Sequence, residues 1–196
     1  MSFKESRTAE NLMKSFAGES QARMRYIYAA KTAKKEGYEQ ISNLFIETAD
    51  NEKEHAKVFL KHLLKNGMEG EIVNIMASYP VAWSPEDTLK NLEYAANGEK
   101  EEWTELYPIF AEIAEEEGFK EISRAWIMVA KVEREHEKRF RKLYNNIRDK
   151  KVFKKDEKLF WKCINCGYIH EGTEAPNMCP ACTHPQSYFE IHTENY

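Results

Sequence analysis

What most constrains this chain is a stretch that occurs twice. Residues 36–59 read EGYEQISNLFIETADNEKEHAKVF and residues 117–140 read EGFKEISRAWIMVAKVEREHEKRF; the two align without a gap at an offset of 81, with 11 of 24 positions identical. Among the identities are the pairs Glu52/His55 and Glu133/His136, the only two Glu-x-x-His sequences in the chain. On a helix, residues three apart lie on one face, about a turn from each other. Two such helices facing each other can hold a pair of metal ions. The rest of the chain therefore has to complete a site of that kind or serve it.

The punctuation of the chain predicts four helices. Residues 5–36 contain no proline and carry Leu12, Phe16, Ala22, Tyr26 and Ala30 at helical spacing, and Gly37 ends the helix. A second helix runs from about Tyr38 to Lys65, antiparallel to the first because the joint is so short. Residues 66–84, with Gly67, Gly70 and Pro80, read as a long crossover with room for one short helix. Ser84-Pro85-Glu86-Asp87 reads as a helix start with Ser84 as the cap, so a third helix runs from there to about Glu117. Gly118 repeats the role of Gly37, and the fourth helix runs to about Arg148. Two hairpins joined by one long crossover give an all-α, ferritin-like four-helix bundle over residues 1–148.

Pro108 falls inside the third helix, where it removes a hydrogen bond. The repeat register also changes there. Gly18-Glu19 and Gly98-Glu99 correspond at an offset of 80, but Tyr26 and Tyr107 correspond at 81. One extra residue between Glu99 and Tyr107 predicts a local π-bulge; a plain proline kink is the competing reading.

Bundles that hold two metals take one Glu from each of two helices and a Glu-x-x-His from each of the other two. Here the second and fourth helices supply Glu52, His55, Glu133 and His136. The first supplies Glu19, and the third supplies Glu99 with Glu102 one turn on. Carboxylates bridge cations and offset their charge, and imidazole suits redox-active metals, so the set points to iron or manganese rather than copper. Glu54 and Glu135 repeat as well, but they are rotated off that face and read as surface, and His62 reads as surface or packing. Tyr26 and Tyr107 lie two turns beyond Glu19 and Glu99, placed to hydrogen-bond metal-bound carboxylates.

The remaining chain changes character. Residues 149–158, DKKVFKKDEK, read as a charged linker. Residues 159–196 form a small module with two Cys-x-x-Cys pairs, Cys163/Cys166 and Cys179/Cys182, twelve residues apart. A segment this short needs a staple to fold. In a reducing compartment four such cysteines bind metal, and an S4 tetrahedron suits zinc or a single iron. Beside a redox-capable pair, a one-electron iron relay has a use. Net charge of −4 gives no reason to expect nucleic acid as a partner, no run of 18 apolar residues predicts a membrane span, and the N-terminus lacks the apolar core of a signal peptide. The expected location is the cytoplasm.

The segments ENLMKSFAGESQARMRY, NEKEHAK, GEKEEW with LYPIF, VEREHEKRF, WKCINCGY and CPAC resemble the rubrerythrin family over essentially the whole chain. That resemblance implies Glu52 and Glu133 as carboxylates bridging two irons. It implies Glu19 and Glu102 as ligands of one iron, with His55 replacing Glu102 on reduction, and Glu99 and His136 as ligands of the other. The four cysteines resemble rubredoxin iron ligands. The implied activity is a non-haem peroxidase reducing hydrogen peroxide to water. Its electrons come from an external donor such as a rubredoxin or a reductase, and the protein is a homodimer that sets one subunit's module beside the other's di-iron site. Without a Gly-x-Gly-x-x-Gly, the chain is not expected to bind a nicotinamide nucleotide itself. The alternatives are a ferroxidase or iron-handling protein, an oxygen-activating oxidase, and a zinc-ribbon interaction protein.

Overall fold

A computed structural model describes residues 2–195. Ser6 caps the first helix, α1 (Arg7–Lys35), by accepting from the Ala9 N–H, and α2 (Glu39–Lys65) returns antiparallel to it. Gly37 and Gly118 sit at φ of 81° and 87°, the left-handed position that closes a helix end. The Tyr38 and Phe119 N–H groups reach back to the carbonyls of Ala33 and Ala114. The second hairpin pairs α3 (Thr88–Glu101), a π-turn (Glu102–Leu106) and α4 (Tyr107–Glu116) with α5 (Lys120–Arg148). The π-turn lies where the repeat gains its extra residue, and the Tyr107 N–H bonds the Glu102 carbonyl, five residues back. Pro108 then falls in the first turn of α4, where its missing N–H is tolerated.

Two expectations are corrected. Ser84 does not cap the third helix; Asp87 does, accepting from the Lys90 N–H at 2.8 Å. Ser84 instead exchanges two hydrogen bonds with the Asn91 side chain, its N–H donating and its carbonyl accepting, each at 2.7 Å, and residues 85–86 turn into the helix. The crossover contains no short helix, since residues 71–84 are irregular. Ile72 and Met76 are 80% and 90% exposed, while Val73 packs against the bundle core and Trp83 against Tyr28. Tyr79 ties the segment down by donating to the Lys14 carbonyl at 2.9 Å.

Hydrogen bonds cross between the hairpins at both helix starts. The Glu117 carboxylate accepts from the N–H groups of Arg7 and Thr8 at 3.1 and 2.9 Å, and from the Thr8 hydroxyl at 2.7 Å. Glu36, its repeat partner, accepts from the Thr88 N–H at 3.2 Å. Acids at helix N-termini satisfy orphan donors and the helix dipole together.

The bundle core is two apolar layers with a polar layer between them. Leu12, Phe59, Leu63, Phe110 and Trp126 fill one layer; Ala22, Phe45, Ala49, Leu92 and Phe140 fill the other. Along α2 the order is Phe45, Ala49, Glu52, His55, Phe59; along α5 it is Trp126, Val129, Glu133, His136, Phe140. All of these are buried.

The C-terminal module is a three-stranded antiparallel sheet, order β2-β1-β3, made of β1 (Lys154–Cys163), β2 (Ile169–Glu174) and β3 (Phe189–Ile191). β1 starts inside the segment read as linker, so only residues 149–153 join helix to strand. Trp161, Cys163, Ala175, Cys179 and Phe189 form the core of the module. It rests on the start of α2, where Tyr38 stacks on Phe153 with ring centroids 6.3 Å apart.

Candidate metal centres

The polar layer assembles the predicted side chains into two groups. Glu19, Glu52, His55 and Glu133 offer ligand atoms within 4.8 Å of one another, and so do Glu52, Glu99, Glu133 and His136. Glu52 and Glu133 belong to both, which is the geometry of two neighbouring cations sharing two carboxylates. The histidine rings face each other with centroids 5.8 Å apart. His55 Nδ1 stands 2.8 Å from oxygens of both Glu52 and Glu133, and His136 Nδ1 stands 2.8 Å from Glu133.

These short contacts are not satisfied hydrogen bonds. Both carboxylate oxygens of Glu52 and of Glu133, one each of Glu19 and Glu99, and Nδ1 of both histidines are buried without a hydrogen-bond partner. A folded core tolerates so many orphaned polar atoms only where something else binds them. Convergent carboxylate and imidazole lone pairs fit a pair of divalent or trivalent cations.

The electrostatics agree. Burial pushes the Glu19 carboxyl well above its usual range, and Glu133, Glu102 and Glu52 push it further. Burial and Glu52 raise Glu99 to about 8. Burial would lower the two histidines, but the adjoining acids override it. Glu133 and Glu52 lift His55 to about 10, and Glu133, Glu52 and Glu99 lift His136 to about 12. Without a cation, the layer is so acidic that it recruits protons.

Both tyrosines reach carboxylates, and they do so crosswise. The Tyr26 hydroxyl donates to Glu99 and the Tyr107 hydroxyl to Glu19, so each serves the acid of the opposite hairpin. Glu102 stands apart from both groups and lines a cavity beside them. Its carboxyl is held well above its usual range by burial and by Glu99, Glu133 and Glu52, so it still feels the layer. Glu54 and Glu135 are exposed, and His62, half-buried, joins neither group. Sequence reasoning missed Asn51, whose Oδ1 lies 3.3 Å from His136 Nε2 and fixes that ring from behind. Its repeat counterpart is Val132, so the duplication carried no signal for it.

The four cysteine sulfurs also lie within 4.8 Å of one another. Cys163 and Cys182 are 3.7 Å apart and Cys166 and Cys179 3.6 Å. A tetrahedron with metal–sulfur bonds of about 2.3 Å has edges of about 3.8 Å, so the cage already has the size of one metal ion. Each pair sits on a tight knuckle: the Gly167 N–H bonds the Cys163 carbonyl at 2.8 Å, and the Thr183 N–H bonds the Cys179 carbonyl at 2.9 Å. A backbone N–H from His184 draws the Cys182 thiol down to about 6, the thiolate form a metal needs.

A four-helix bundle with a carboxylate- and histidine-lined interior, followed by a four-cysteine knuckle, defines a ferritin-like di-iron protein with a rubredoxin-like module. Comparison with known proteins agrees. The family model for rubrerythrin matches residues 10–144, and that for the rubrerythrin rubredoxin-like domain matches residues 161–190. The chain is 60% identical to a rubrerythrin of Clostridium perfringens, covering 100% of this chain and 99% of that one. It is 53% identical to a rubrerythrin of Porphyromonas gingivalis, covering 100% and 94%. Among solved structures, fully reduced, all-ferrous nigerythrin superposes with a TM-score of 0.63 at 33% identity, covering 96% of this chain and 90% of that one. The chain belongs to the rubrerythrin family. Its cofactors are two irons in the carboxylate- and histidine-lined layer and one iron in the four-cysteine knuckle. Among the described residues no helix is long and apolar enough to cross a membrane.

Proposed function

We propose that this protein is a peroxidase that reduces hydrogen peroxide to two waters, taking up two electrons and two protons. The observation that carries the reading is the pair of ligand groups sharing Glu52 and Glu133, in one chain with a single-iron cysteine cage. When bound and reduced, the iron pair supplies the two electrons that O–O cleavage requires and the Lewis acidity that steadies the departing oxygens.

The side chains set the conditions for that chemistry. Glu52 and Glu133 would be the carboxylates shared by the two irons; Glu19 and His55 would complete one group of ligands, and Glu99 and His136 the other. Tyr26 and Tyr107 hold Glu99 and Glu19 in fixed orientations by hydrogen bonds from their hydroxyls. Asn51 holds His136. Glu102, at the cavity wall, would be a further carboxylate available to the Glu19 side, which includes His55.

Electrons arrive one at a time through the cysteine cage from an external rubredoxin or reductase in the cytoplasm. The module packs at Tyr38, and Glu52 lies about 20 Å further along α2 at 1.5 Å per residue. So long a path within one chain favours delivery from the module of a second subunit in a homodimer.

Anaerobic stopped-flow absorption tests the reading. The fully reduced protein is mixed with hydrogen peroxide or with oxygen, and the thiolate-to-iron colour is followed. Return of colour faster with peroxide than with oxygen is expected. Colour that returns only with oxygen would move the assignment to a ferroxidase or oxidase, and a colourless protein would remove the electron relay.

A further inference from the structure

A cavity adjoins the di-iron layer, with Glu102 and Tyr107 between the two. This cavity, of about 290 Å³, lies between α1, the π-turn and the crossover. Glu102 and Tyr107, which donates to Glu19, are part of its wall, and so are Gly18 and Gly98, the residues just before Glu19 and Glu99. Met76 and Tyr79 of the crossover stand across it, with Met76 90% exposed to solvent.

The space is far larger than hydrogen peroxide needs. A water molecule takes about 30 Å³ of liquid, and an apolar cavity of about 150 Å³ holds benzene. Phe110, Pro80 and Met76 give the cavity an apolar side, and Arg25, whose Nε is buried without a partner, gives it a donor.

The two glycines keep this space open. Glycine inside a helix is destabilising relative to alanine. Neither Gly18 nor Gly98 has a positive φ. A Cβ on Gly98 would meet nothing within 4 Å, and one on Gly18 would touch only Tyr79 Cε1, at 3.7 Å. Neither backbone conformation nor close packing requires glycine at these positions, and in both repeats the missing side chain leaves room beside a metal-binding glutamate.

We propose that the cavity admits alkyl hydroperoxides, ROOH with an apolar R up to the size of a phenyl-bearing group, as substrates of the same iron pair. The inference rests on the peroxidase reading above. The O–O bond breaks, two electrons come from the donor chain already described and two protons from water, and the products are ROH and water.

The test uses the iron-loaded protein in two ways. Reduced protein is mixed anaerobically with hydrogen peroxide and with cumene hydroperoxide. In parallel, the product alcohol 2-phenyl-2-propanol is equilibrated by dialysis against the oxidised protein, a binding readout independent of turnover. Both peroxides are expected to react, and the alcohol is expected to bind. Gly98→Leu is expected to lower the ratio of cumene hydroperoxide to hydrogen peroxide rates at least about tenfold and to weaken alcohol binding similarly. Gly98→Ala, which adds one unopposed methyl, is the control for the helix; Ala77→Phe fills the same cavity from the crossover should Gly98→Leu fail to fold. Reaction with hydrogen peroxide but not cumene hydroperoxide would overturn the inference alone. So would a ratio and an affinity unchanged by the filled cavity. Failure of both peroxides would defeat the peroxidase reading, and this inference with it.

Discussion

At the residue scale, the duplicated acids and histidines did most of the specifying. Glu52, His55, Glu133 and His136 were legible because one register places them twice, and Glu19 and Glu99 because each follows a glycine in its own repeat. Asn51 was not legible, since a residue acting on one histidine alone leaves no echo. Glu36 and Glu117 did leave an echo, as the first residues of both copies, but their partners at the starts of α3 and α1 lie in the opposite hairpin and only the fold reveals them. Tyr107→Phe is expected to leave a Glu19 oxygen buried without its donor. Iron retention or peroxide turnover is expected to fall about 10–100-fold, measured by metal analysis after dialysis and by stopped flow; wild-type behaviour in both would show that the hydroxyl is idle. The charge balance gives a pH prediction. In the metal-free protein His55 and His136 titrate near 10 and 12, above their ordinary 6.5, so their contribution to stability is complete below 6.5 and is lost as pH rises through 10 and 12. Glu99, raised from 4.5 to about 8, favours the folded state most below 4.5 and loses that advantage through 8. Iron has to displace these protons. Ferrous binding is therefore expected to release protons and to tighten from about pH 6 to pH 8, read with an indicator in weak buffer. No proton release would mean that neither the histidines nor the raised carboxyls of Glu19 and Glu99 hold protons before iron arrives.

At the element scale, the change of offset from 80 to 81 points to an inserted residue that the helix must absorb; the structure absorbs it as the π-turn rather than as a kink at Pro108. The start of α3 was misread for the opposite reason. Ser-Pro-Glu-Asp satisfies the rules for a cap at Ser84, and only the bonds between Ser84 and Asn91 shift the true start to Asp87. The crossover likewise contains helix formers, but its apolar residues do not line up on one face and it stays irregular. The π-turn sets the phase of all that follows. Tyr107, Phe110, Ala111 and Ala114 are buried behind it. Deleting the exposed Thr104 is expected to rotate α4 by about 100° and to turn these residues out of the core. Thermal melting checks this: the deletion is expected to lower Tm far more than Thr104→Ala, and equal Tm values would mean that the bulge is dispensable.

At the scale of the whole molecule, the change of composition after residue 148 separates a helical stretch from a cysteine-bearing one but says nothing of where the second rests. The module's seat is made by the Tyr38–Phe153 stack, by contacts of α2 with β3 and residues 186–188, and by a Lys155–Asn146 hydrogen bond. That seat is what makes a second subunit attractive as the electron source. Reoxidation of the cysteine-bound iron by peroxide is expected to slow on dilution below the dimer dissociation constant, and a rate independent of concentration across measured dissociation would place the transfer within one chain. The crosswise bonds have a wider meaning. Glu36 closes the start of α3 while Glu117 closes the start of α1; Tyr26 holds Glu99 while Tyr107 holds Glu19. Neither half is a finished object. A lone hairpin keeps an open helix end, a tyrosine without its acid and half a cage. Two copies of one hairpin about a twofold axis satisfy all of these at once, because an isologous pair makes every contact twice. The polypeptide thus contains the rules of a symmetric couple, spliced by the crossover into a left and a right hand. Once joined, the hands are free to differ, and Asn51 opposite Val132, with one residue more beside Glu102, is where they have done so.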